Sequence, residues 1–531
     1  MKVILQKNLS MINKYVFIQV RTSSKRLFGK CLFKIKGKEA ILLLFNRIKS
    51  NSYKTIILTS KDKSDDYLVK ILKKKKIPYF RGSLNDVRDR FLKCSKSFNN
   101  NDIIVRCTAD NLFIDKFFIK DLLKKFIKYK KDYITIDRER SKLPYGLAAE
   151  VFSVKALRKF KTEKRKDLEH VTPAILRHSK NIKKIKIEND KNYYHLSCTM
   201  DEVSEYFKIK YIFENYSNKI STSWKKLCLD LKKTNKKSID TIVQKQFNKI
   251  TLGTAQLGSR YGINNTSKNN SKETMNILKY AVSIGINYFD TASGYKKSEK
   301  NIGEFIKKNK IKINIITKFT YPKILEIKNS LKKLNLTKLH AVLIHNPQFI
   351  FNKDFDHKII NNYLINIKKK CTYIGVSFNF PSEFIKFKKI KMVKFYQIPF
   401  NILDRRWNNI LSQKRPGEKI YARSIFLQGL LVSNNINSCP KNIRSEFKKV
   451  RTKLLYIVKK LDRFDIKDLL IAYVNYFKKI DKIVIGVDNM EQLRQLPFYF
   501  LRKQLTKKDM SFIEKKIPEI RSNLISPQNW K

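Results

Sequence analysis

The sequence predicts an α/β protein in two parts, a mostly parallel sheet flanked by helices followed by a (β/α)8 barrel. Three observations lead there. The chain has 531 residues, well beyond the size at which one hydrophobic core stops growing, so two large domains or three smaller ones are expected. Over the first part, short β-branched or aromatic runs alternate with lysine-rich amphipathic stretches, the pattern of strands separated by helices. After a lysine- and asparagine-rich passage the alternation restarts and completes eight strand-helix units in roughly 280 residues, which is what a (β/α)8 barrel requires.

The opening MKVILQKNLSMINKYVFIQV lacks a small-residue cleavage site after an apolar region and runs into a first strand, so no leader peptide is expected. From Lys14 to about Glu188 the strand candidates are KYVFIQV, KTIILTS, NDIIVRCTAD and DYITID, with helical patterns such as EAILLLFNRIKS and DDYLVKILKKK between them. The passage DLKKTNKKSIDTIVQKQFNKI, Asp230 to Ile250, reads as an interruption, which places the domains at 1–245 and 246–531. The barrel strands are expected in ITLGTAQLG, INYFDTA, INIITKF, LHAVLIHN, TYIGVSFN, KFYQIPFN, KIYARSIF and DKIVIGVD, each followed by a helix. The active site of such a barrel sits where the strands end. Asp290, Lys318, His345, Ser377, Asn401 and Gln428 all stand at or just beyond such ends.

Lys and Arg number 115 against 45 Asp and Glu, a formal charge of +70. A charge of that size suits a polyanion partner, but the lysines are spread along the whole chain rather than clustered, as on a solvated surface, and no specific nucleic acid is expected. Seven cysteines without a CxxC pair argue against a disulfide framework or zinc site and for a reducing compartment. No run has the length of a membrane span, and the cytoplasm is the expected location.

In the second half, DTASGY places Asp290 and Tyr295 where a strand gives way to a helix. Reducing a carbonyl needs a hydride from one side and a proton from the other. A phenol, with a pKa of about 10, is a poor donor at neutral pH unless a nearby cation lowers it. Lys318, ending INIITKF, could be that cation, Asp290 could hold it charged, and His345 of LIHNP could donate a hydrogen bond to the substrate oxygen.

From Ile250 to about Leu496 the motifs DTASGY, ITKF, LIHNP, YIGVSFN, FYQIPFN, ARSIFLQGLL and IVIGVDNMEQL, in this order, resemble the aldo-keto reductase family. LGTAQLGSRYGINN is similar to members of that family encoded with surface-sugar pathways. The resemblance implies a TIM barrel, carbonyl reduction with NADP(H) or NAD(H), Tyr295 as general acid, Lys318 as its pKa modulator, Asp290 as partner of Lys318, and His345 as the group orienting the substrate. It further implies Ser377 and Gln397 on the nicotinamide carboxamide, and Gly486, Asn489 and Gln492 on pyrophosphate and adenosine. Phe378 stands where an Asn usually follows the Ser, with Asn379 one step later. Arg423, also expected on the cofactor by the resemblance, stands where many relatives stack an aromatic ring on the nicotinamide. The basic motif for a 2′-phosphate is absent, Asp488 lies nearby, and Lys296 replaces the glycine that commonly follows the tyrosine.

In the first half, FIQVRTSSKRLFGK places Arg21, Arg26 and Lys30 in a polar loop directly after the first strand. Such a loop can surround a nucleoside triphosphate with backbone donors and cations. Attack at an α-phosphate needs a metal, and magnesium takes oxygen ligands, usually one or two carboxylates. Asp110 ends IIVRCTAD and Asp201 sits in CTMDEVSEY, and the two could meet across the sheet. The pieces QVRTSSKRLFGKCL, FRGSLNDVRDRF, IVRCTADNLFID, YGLAAEVFSVKAL, LEHVTP and CTMDEVSEY, from about Tyr15 to Tyr216, resemble cytidylyltransferases of the spore-coat polysaccharide and CMP-ulosonic-acid synthetase type.

That likeness implies a Rossmann-like nucleotidyltransferase sheet of the GT-A type. It implies CTP on Arg21, Ser24, Arg26 and Lys30, Mg2+ on Asp110 and Asp201, and Arg81, Asp86, Arg106, Glu150 and His170 near nucleotide or sugar. Phe28 and Leu112 replace expected prolines.

The expectation is therefore a two-domain fusion enzyme of surface-glycan precursor metabolism. The first half would transfer CMP from CTP to an acidic sugar with release of pyrophosphate, and the second would reduce a sugar-type carbonyl or run the reverse oxidation. Two other classes fit less of the sequence: a regulatory protein that holds a nicotinamide cofactor without turnover, and a polyanion binder using the basic surface.

Overall fold

The computed structural model describes residues 12–530 apart from 163, 217–219, 259–261, 264–269, 321–322, 348–363, 518–519 and 521. The expectation about a leader, which falls on residues 1–11, and part of LGTAQLGSRYGINN thus lie outside the described residues. The chain divides into two compact units, Met1–Asp240 and Thr241–Lys531. The division falls a few residues before 245/246, inside a helix, Lys236–Phe247, and Asp230 belongs to another, Trp224–Lys232. The passage read as an interruption is helical because Ile239, Val243 and Phe247, four residues apart, form one buried stripe on an otherwise lysine-covered surface.

In the first unit the strands are β1 Lys14–Gln19, β2 Lys34–Ile35, β3 Lys38–Glu39, β4 Lys54–Ser60, β5 Tyr79–Gly82, β6 Ile103–Thr108, β7 Tyr133–Ile136, β8 Glu150–Ser153 and β9 Ile182–Ile185. Among the described residues seven of them form one sheet in the order β5-β4-β1-β6-β8-β7-β9, while β2 and β3 pair as a separate hairpin. The sheet is parallel except for β8, which runs antiparallel to both neighbours. From β1 the chain goes to β4 on one side and only later to β6 on the other. The β1/β6 gap is therefore the topological switch point, where the carboxyl ends of strands leave a crevice.

In the second unit, β10 Ile250–Gly253, β11 Tyr288–Asp290, β12 Asn314–Phe319, β13 Leu339–Ile344, β14 Cys371–Ser377, β15 Val393–Pro399, β16 Lys419–Arg423 and β17 Lys482–Gly486 close into a parallel barrel. β17 returns to β10 with Ile483 opposite Ile250. Each overlaps its expected sequence segment. Side chains of period two fill the lumen, with Ile316, Ala341, Leu343, Phe395 and Tyr421 in one buried cluster. Gly375 of β14 faces that cluster, and a Cβ there would come within 2.7 Å of Leu343 Cδ2 and Phe395 Cβ, so only glycine fits. Among the described residues no helix is long and apolar enough to cross a membrane.

Candidate functional site

Barrel cavity. A cavity of about 860 Å³ opens at the carboxyl ends of the barrel strands and is lined by Asp290, Tyr295, Lys318 and His345 together. Asp290 is the last residue of β11, Lys318 the penultimate residue of β12, and His345 follows β13 directly. Lys318 Nζ donates to Asp290 Oδ2 at 2.6 Å and to Thr291 O at 2.9 Å. This pair is nearly closed to solvent, at 2% and 6% side-chain exposure. The ammonium lies 5.2 Å from the centroid of the Tyr295 ring, and the His345 ring meets Tyr295 edge-on at 6.1 Å. The second Asp290 oxygen accepts from Gln397 Nε2 at 2.8 Å, and Gln397 Oε1 accepts from Ser377 Oγ at 3.4 Å.

A turn after β11 carries Tyr295, closed by Tyr295 N to Ala292 O at 3.0 Å and Ser298 N to Tyr295 O at 2.9 Å. Gly258 lets this turn approach, since a Cβ there would sit 2.7 Å from Ser298 N and deep inside Tyr295 O. The residue after the tyrosine is Lys296, at φ 42°, in the left-handed region that favours glycine. The departure noted in the sequence is thus a real conformational cost, of about 1 kcal/mol.

Of the residues expected on cofactor, Ser377, Gln397, Arg423, Gly486 and Gln492 line the cavity. Asn489 does not belong to that lining; its side chain accepts the Gln492 N–H at 2.9 Å and caps the helix Met490–Phe500. Gln492 bonds back to Asp488 through both side-chain atoms. Phe378 packs into a buried aromatic group with Phe384, Phe387 and Trp407, while Asn379 Oδ1 accepts from Arg423 at 2.8 Å. Gln256, Lys467 and Asn529 also line the cavity. Their segments carry no local signal that distinguishes them from surface polar residues.

Burial pushes the Lys318 ammonium toward neutrality, but the attraction of Asp290 outweighs it and the net shift is upward. His345 moves the other way, down to about 4, through burial first and then the charges of Lys318 and Arg423. His340, lower in the lumen, is also held down to about 4 by burial and by Lys482 and Lys419. Both imidazoles are neutral at pH 7, whereas in the unfolded chain they titrate near pH 6.5. Between pH 6.5 and 4 the unfolded chain therefore binds protons that the folded one refuses. The stability these groups contribute is whole above about pH 6.5 and is lost as pH falls toward 4, on the order of 2 kcal/mol for each after discounting for partial exposure. Thermal unfolding of His340→Gln is expected to show a shallower loss of Tm across that window than wild type; parallel curves would refute the assignment.

Sheet cavity. In the first unit a cavity of about 440 Å³ lies at the β1/β6 switch point, lined by Arg21, Ser24, Arg26, Lys30, Arg106, Asp110 and His170 among others. Lys30 Nζ donates to Asp110 Oδ2 at 2.6 Å and to Asp201 Oδ1 at 2.8 Å, and Arg26 pairs with the other Asp201 oxygen at 2.8 Å. The two acids expected to meet across the sheet do so, around one ammonium. Burial pulls Lys30 down and its two acids pull it up further, so the ammonium is held; Asp110, raised by burial, is brought below its usual range by Lys30. Among the described residues no cluster of three or more His, Cys, Asp or Glu could hold a metal. Asp110, Glu169 and His170 line this cavity, whereas Asp201 is outside its lining and joins the site through Lys30 and Arg26.

Other expected residues have structural partners. Arg81 is outside the cavity lining, with Nε on Ser60 O at 2.7 Å and Nη2 on Asp62 O and Asp66. Its guanidinium ties the end of β4 to the following helix, because those carbonyls and the carboxylate lie beside β5. Asp86 caps the helix Val87–Cys94. Glu150 pairs with Arg106 and accepts from Tyr133 Oη and Thr172 Oγ1. Two residues not singled out in the sequence shape the site. Asp65, fully buried, accepts from Thr22 N and Oγ1 and from Thr59 and Ser60, anchoring the loop after β1. Arg90 lines the cavity from beneath, with Ser83 O accepting its Nη2 at 2.6 Å. Asp65 stands in a Ser-Asp-Asp run ahead of a helix, a pattern that marks a helix start and says nothing of Thr22.

Comparisons. A profile of the aldo/keto reductase family matches residues 249–518, and one of cytidylyltransferases matches residues 15–252. An uncharacterized protein of Methanocaldococcus jannaschii is 36% identical over 162 residues, 30% of this chain and 65% of its own. The spore coat polysaccharide biosynthesis protein SpsF of Bacillus subtilis is 29% identical over 153 residues, 28% of this chain and 62% of its own. The chain thus spans somewhat less than two thirds of the length of these curated relatives. A solved aldo-keto reductase of Bacillus halodurans, in its holo form, is 19% identical, with 52% of this chain and 95% of that one covered and a TM-score of 0.42.

Proposed function

The second half of the chain belongs to the aldo/keto reductase family and the first half carries a cytidylyltransferase domain; from that premise we propose a bifunctional, cytoplasmic enzyme of surface-glycan precursor synthesis. Residues 246–531 reduce a sugar-type carbonyl, or run the reverse oxidation. Residues 1–245 transfer CMP from CTP to an acidic sugar and release pyrophosphate. The observation that carries the reading is the meeting of Tyr295, Lys318, Asp290 and His345 in one cavity at consecutive strand ends.

A nicotinamide cofactor, NADP(H) in this reading with NAD(H) as the alternative, supplies the hydride when bound. A cavity of about 860 Å³ has room for it beside a small substrate. Ser377 and Gln397 would hold its carboxamide, and Gly486, Gln492 and the helix end capped by Asn489 its phosphate and adenosine side. Tyr295 holds the proton at its Oη and gives it to the substrate oxygen. Lys318 stabilises the phenolate left behind, in a site dry enough for that charge to count. Asp290, steadied by Gln397, keeps the ammonium charged and aimed. Neutral His345 donates an N–H to the same oxygen.

In the first domain, Arg21, Ser24, Arg26, Lys30 and Arg106 would receive the triphosphate. Asp110 and Asp201 would hold magnesium, since two carboxylates turned toward one cation are a donor set that magnesium completes with water and phosphate oxygens. The ion supplies charge compensation at the α-phosphate when bound. Lys30 holds the two acids facing one another.

Incubating the protein with CTP, magnesium and a panel of ulosonic acids is expected to release pyrophosphate with at least one of them. Asp110→Asn is expected to lower that rate by at least about 10²-fold. If no sugar acid releases pyrophosphate and Asp110→Asn leaves CTP binding unchanged, the nucleotidyl-transfer half of the proposal falls.

A further inference from the structure

We propose that Arg423 forms an oxyanion subsite beside the reacting centre, so that the carbonyl substrate of the barrel is an acid, carrying a carboxylate within reach of that guanidinium. The inference rests on the carbonyl-reduction reading and deepens it. Arg423 is the last residue of β16, two positions after Tyr421, which packs in the lumen cluster. By the alternation of a barrel strand, Arg423 therefore faces the same interior, one layer higher. It lines the cavity with Tyr295, Lys318 and His345.

Its bonding is incomplete in one specific way. Nη2 donates to Phe378 O and Asn379 Oδ1, both at 2.8 Å, and Nη1 to Ser424 Oγ at 3.2 Å. All three acceptors are neutral. Nε is buried without a hydrogen-bond partner, and no carboxylate pairs with the group among the described residues. Asp290, the acid at the base of the cavity, is already held by Lys318 and Gln397. Arg423 is half-buried, and a guanidinium partly withdrawn from water without a counter-charge carries a cost that an anion would offset. Its planar set of donors suits a carboxylate.

The same uncompensated charge is felt by its neighbours. It adds to the depression of His345 and opposes the upward shift of Lys318. A substrate carboxylate would complete the charge at the point where the carbonyl must lie. The other anion that could answer Arg423 is a phosphate of the cofactor. We favour the substrate because Arg423 is coupled to the proton-donating group of residues, whereas Gly486 and the capped helix Met490–Phe500 offer phosphate a separate place.

The test uses the full-length protein with NADPH or NADH and two pairs of aldehydes, 4-carboxybenzaldehyde and succinic semialdehyde, each against its methyl ester. Wild type is expected to favour the acid over the ester by at least about tenfold in kcat/KM. Arg423→Gln should bring that ratio toward one, and Arg423→Lys should keep part of it. An unchanged ratio in Arg423→Gln overturns the proposal. So does a rise in cofactor Kd, read by nucleotide fluorescence, that accounts for the whole kinetic change, since the anion would then be the cofactor's phosphate. If no aldehyde is turned over, the carbonyl-reduction reading fails by itself. Calorimetry of benzoate with the protein then decides the subsite: binding that Arg423→Gln abolishes supports it, and binding that survives or is absent in wild type overturns it.

Discussion

Tyr295→Phe is expected to lower kcat for carbonyl reduction by about 10²- to 10⁴-fold, the range a positioned general acid contributes, while the cofactor still binds. The ring would stay in place, because what holds it is packing, the edge contact with His345 and the turn closed by Ala292 O and Ser298 N, none of which uses the hydroxyl. Only the transferable proton is removed. The check is turnover of an aldehyde with NADPH or NADH alongside a cofactor titration followed by fluorescence. Turnover retained at near wild-type rate would assign the proton to another group, and His345, whose ring meets Tyr295 edge-on, would be the first to examine by pH profile.

Lys318→Met has the second large effect, and it acts on stability as well as rate. In the folded protein the ammonium is 2% exposed and sits 2.6 Å from Asp290. Removing it leaves a buried carboxylate with one remaining side-chain donor, Gln397 Nε2. Breaking a buried pair in this way costs about 3–5 kcal/mol, because the orphaned charge can neither pair nor hydrate. The double variant Lys318→Met with Asp290→Asn is expected to recover most of that stability and none of the activity. Denaturant unfolding of wild type, Lys318→Met, Asp290→Asn and the double variant, with aldehyde turnover measured on each, separates the two effects. A Lys318→Met protein within about 1 kcal/mol of wild type would mean that the site is wetter than its burial indicates.

Much of the fold was legible in the sequence because its signals are local. Each barrel strand is a short apolar run bounded by turn residues, and such runs keep their order whatever packs on them, so all eight segments are recognisable from ITLGTAQLG to DKIVIGVD. In the first unit β8, four residues long, carries no mark of its reversed direction. Direction is set by which edge of the sheet the chain returns to, a non-local choice. The passage around Asp230 looked like a linker because lysines dominate its composition, although Ile239, Val243 and Phe247 stand at helical spacing.

The sites divide in the same manner. Residue identity at strand ends singled out Asp290, Tyr295, Lys318 and His345, since barrel chemistry concentrates there. Local chemistry could not separate Arg81 and Asn489, which tie down helix and strand ends, from groups that face a cavity. Nor could it find Asp65, whose role depends on Thr22, 43 residues earlier.

By itself the sequence determined which chemical groups are present and roughly where along strands they stand, because period and turn chemistry depend on neighbours in the chain. Tertiary structure alone decided how charge is shared. Lys30 lies 80 residues from Asp110 and 171 from Asp201, yet one ammonium serves both. Gln397 is 107 residues from Asp290 and steadies its second oxygen. Arg423 finds only neutral partners among the described residues, although the chain carries 45 acids. Coulomb energy and hydrogen bonds fall off with distance in space and with the polarity of what lies between, and neither quantity exists until the strands have closed on one another.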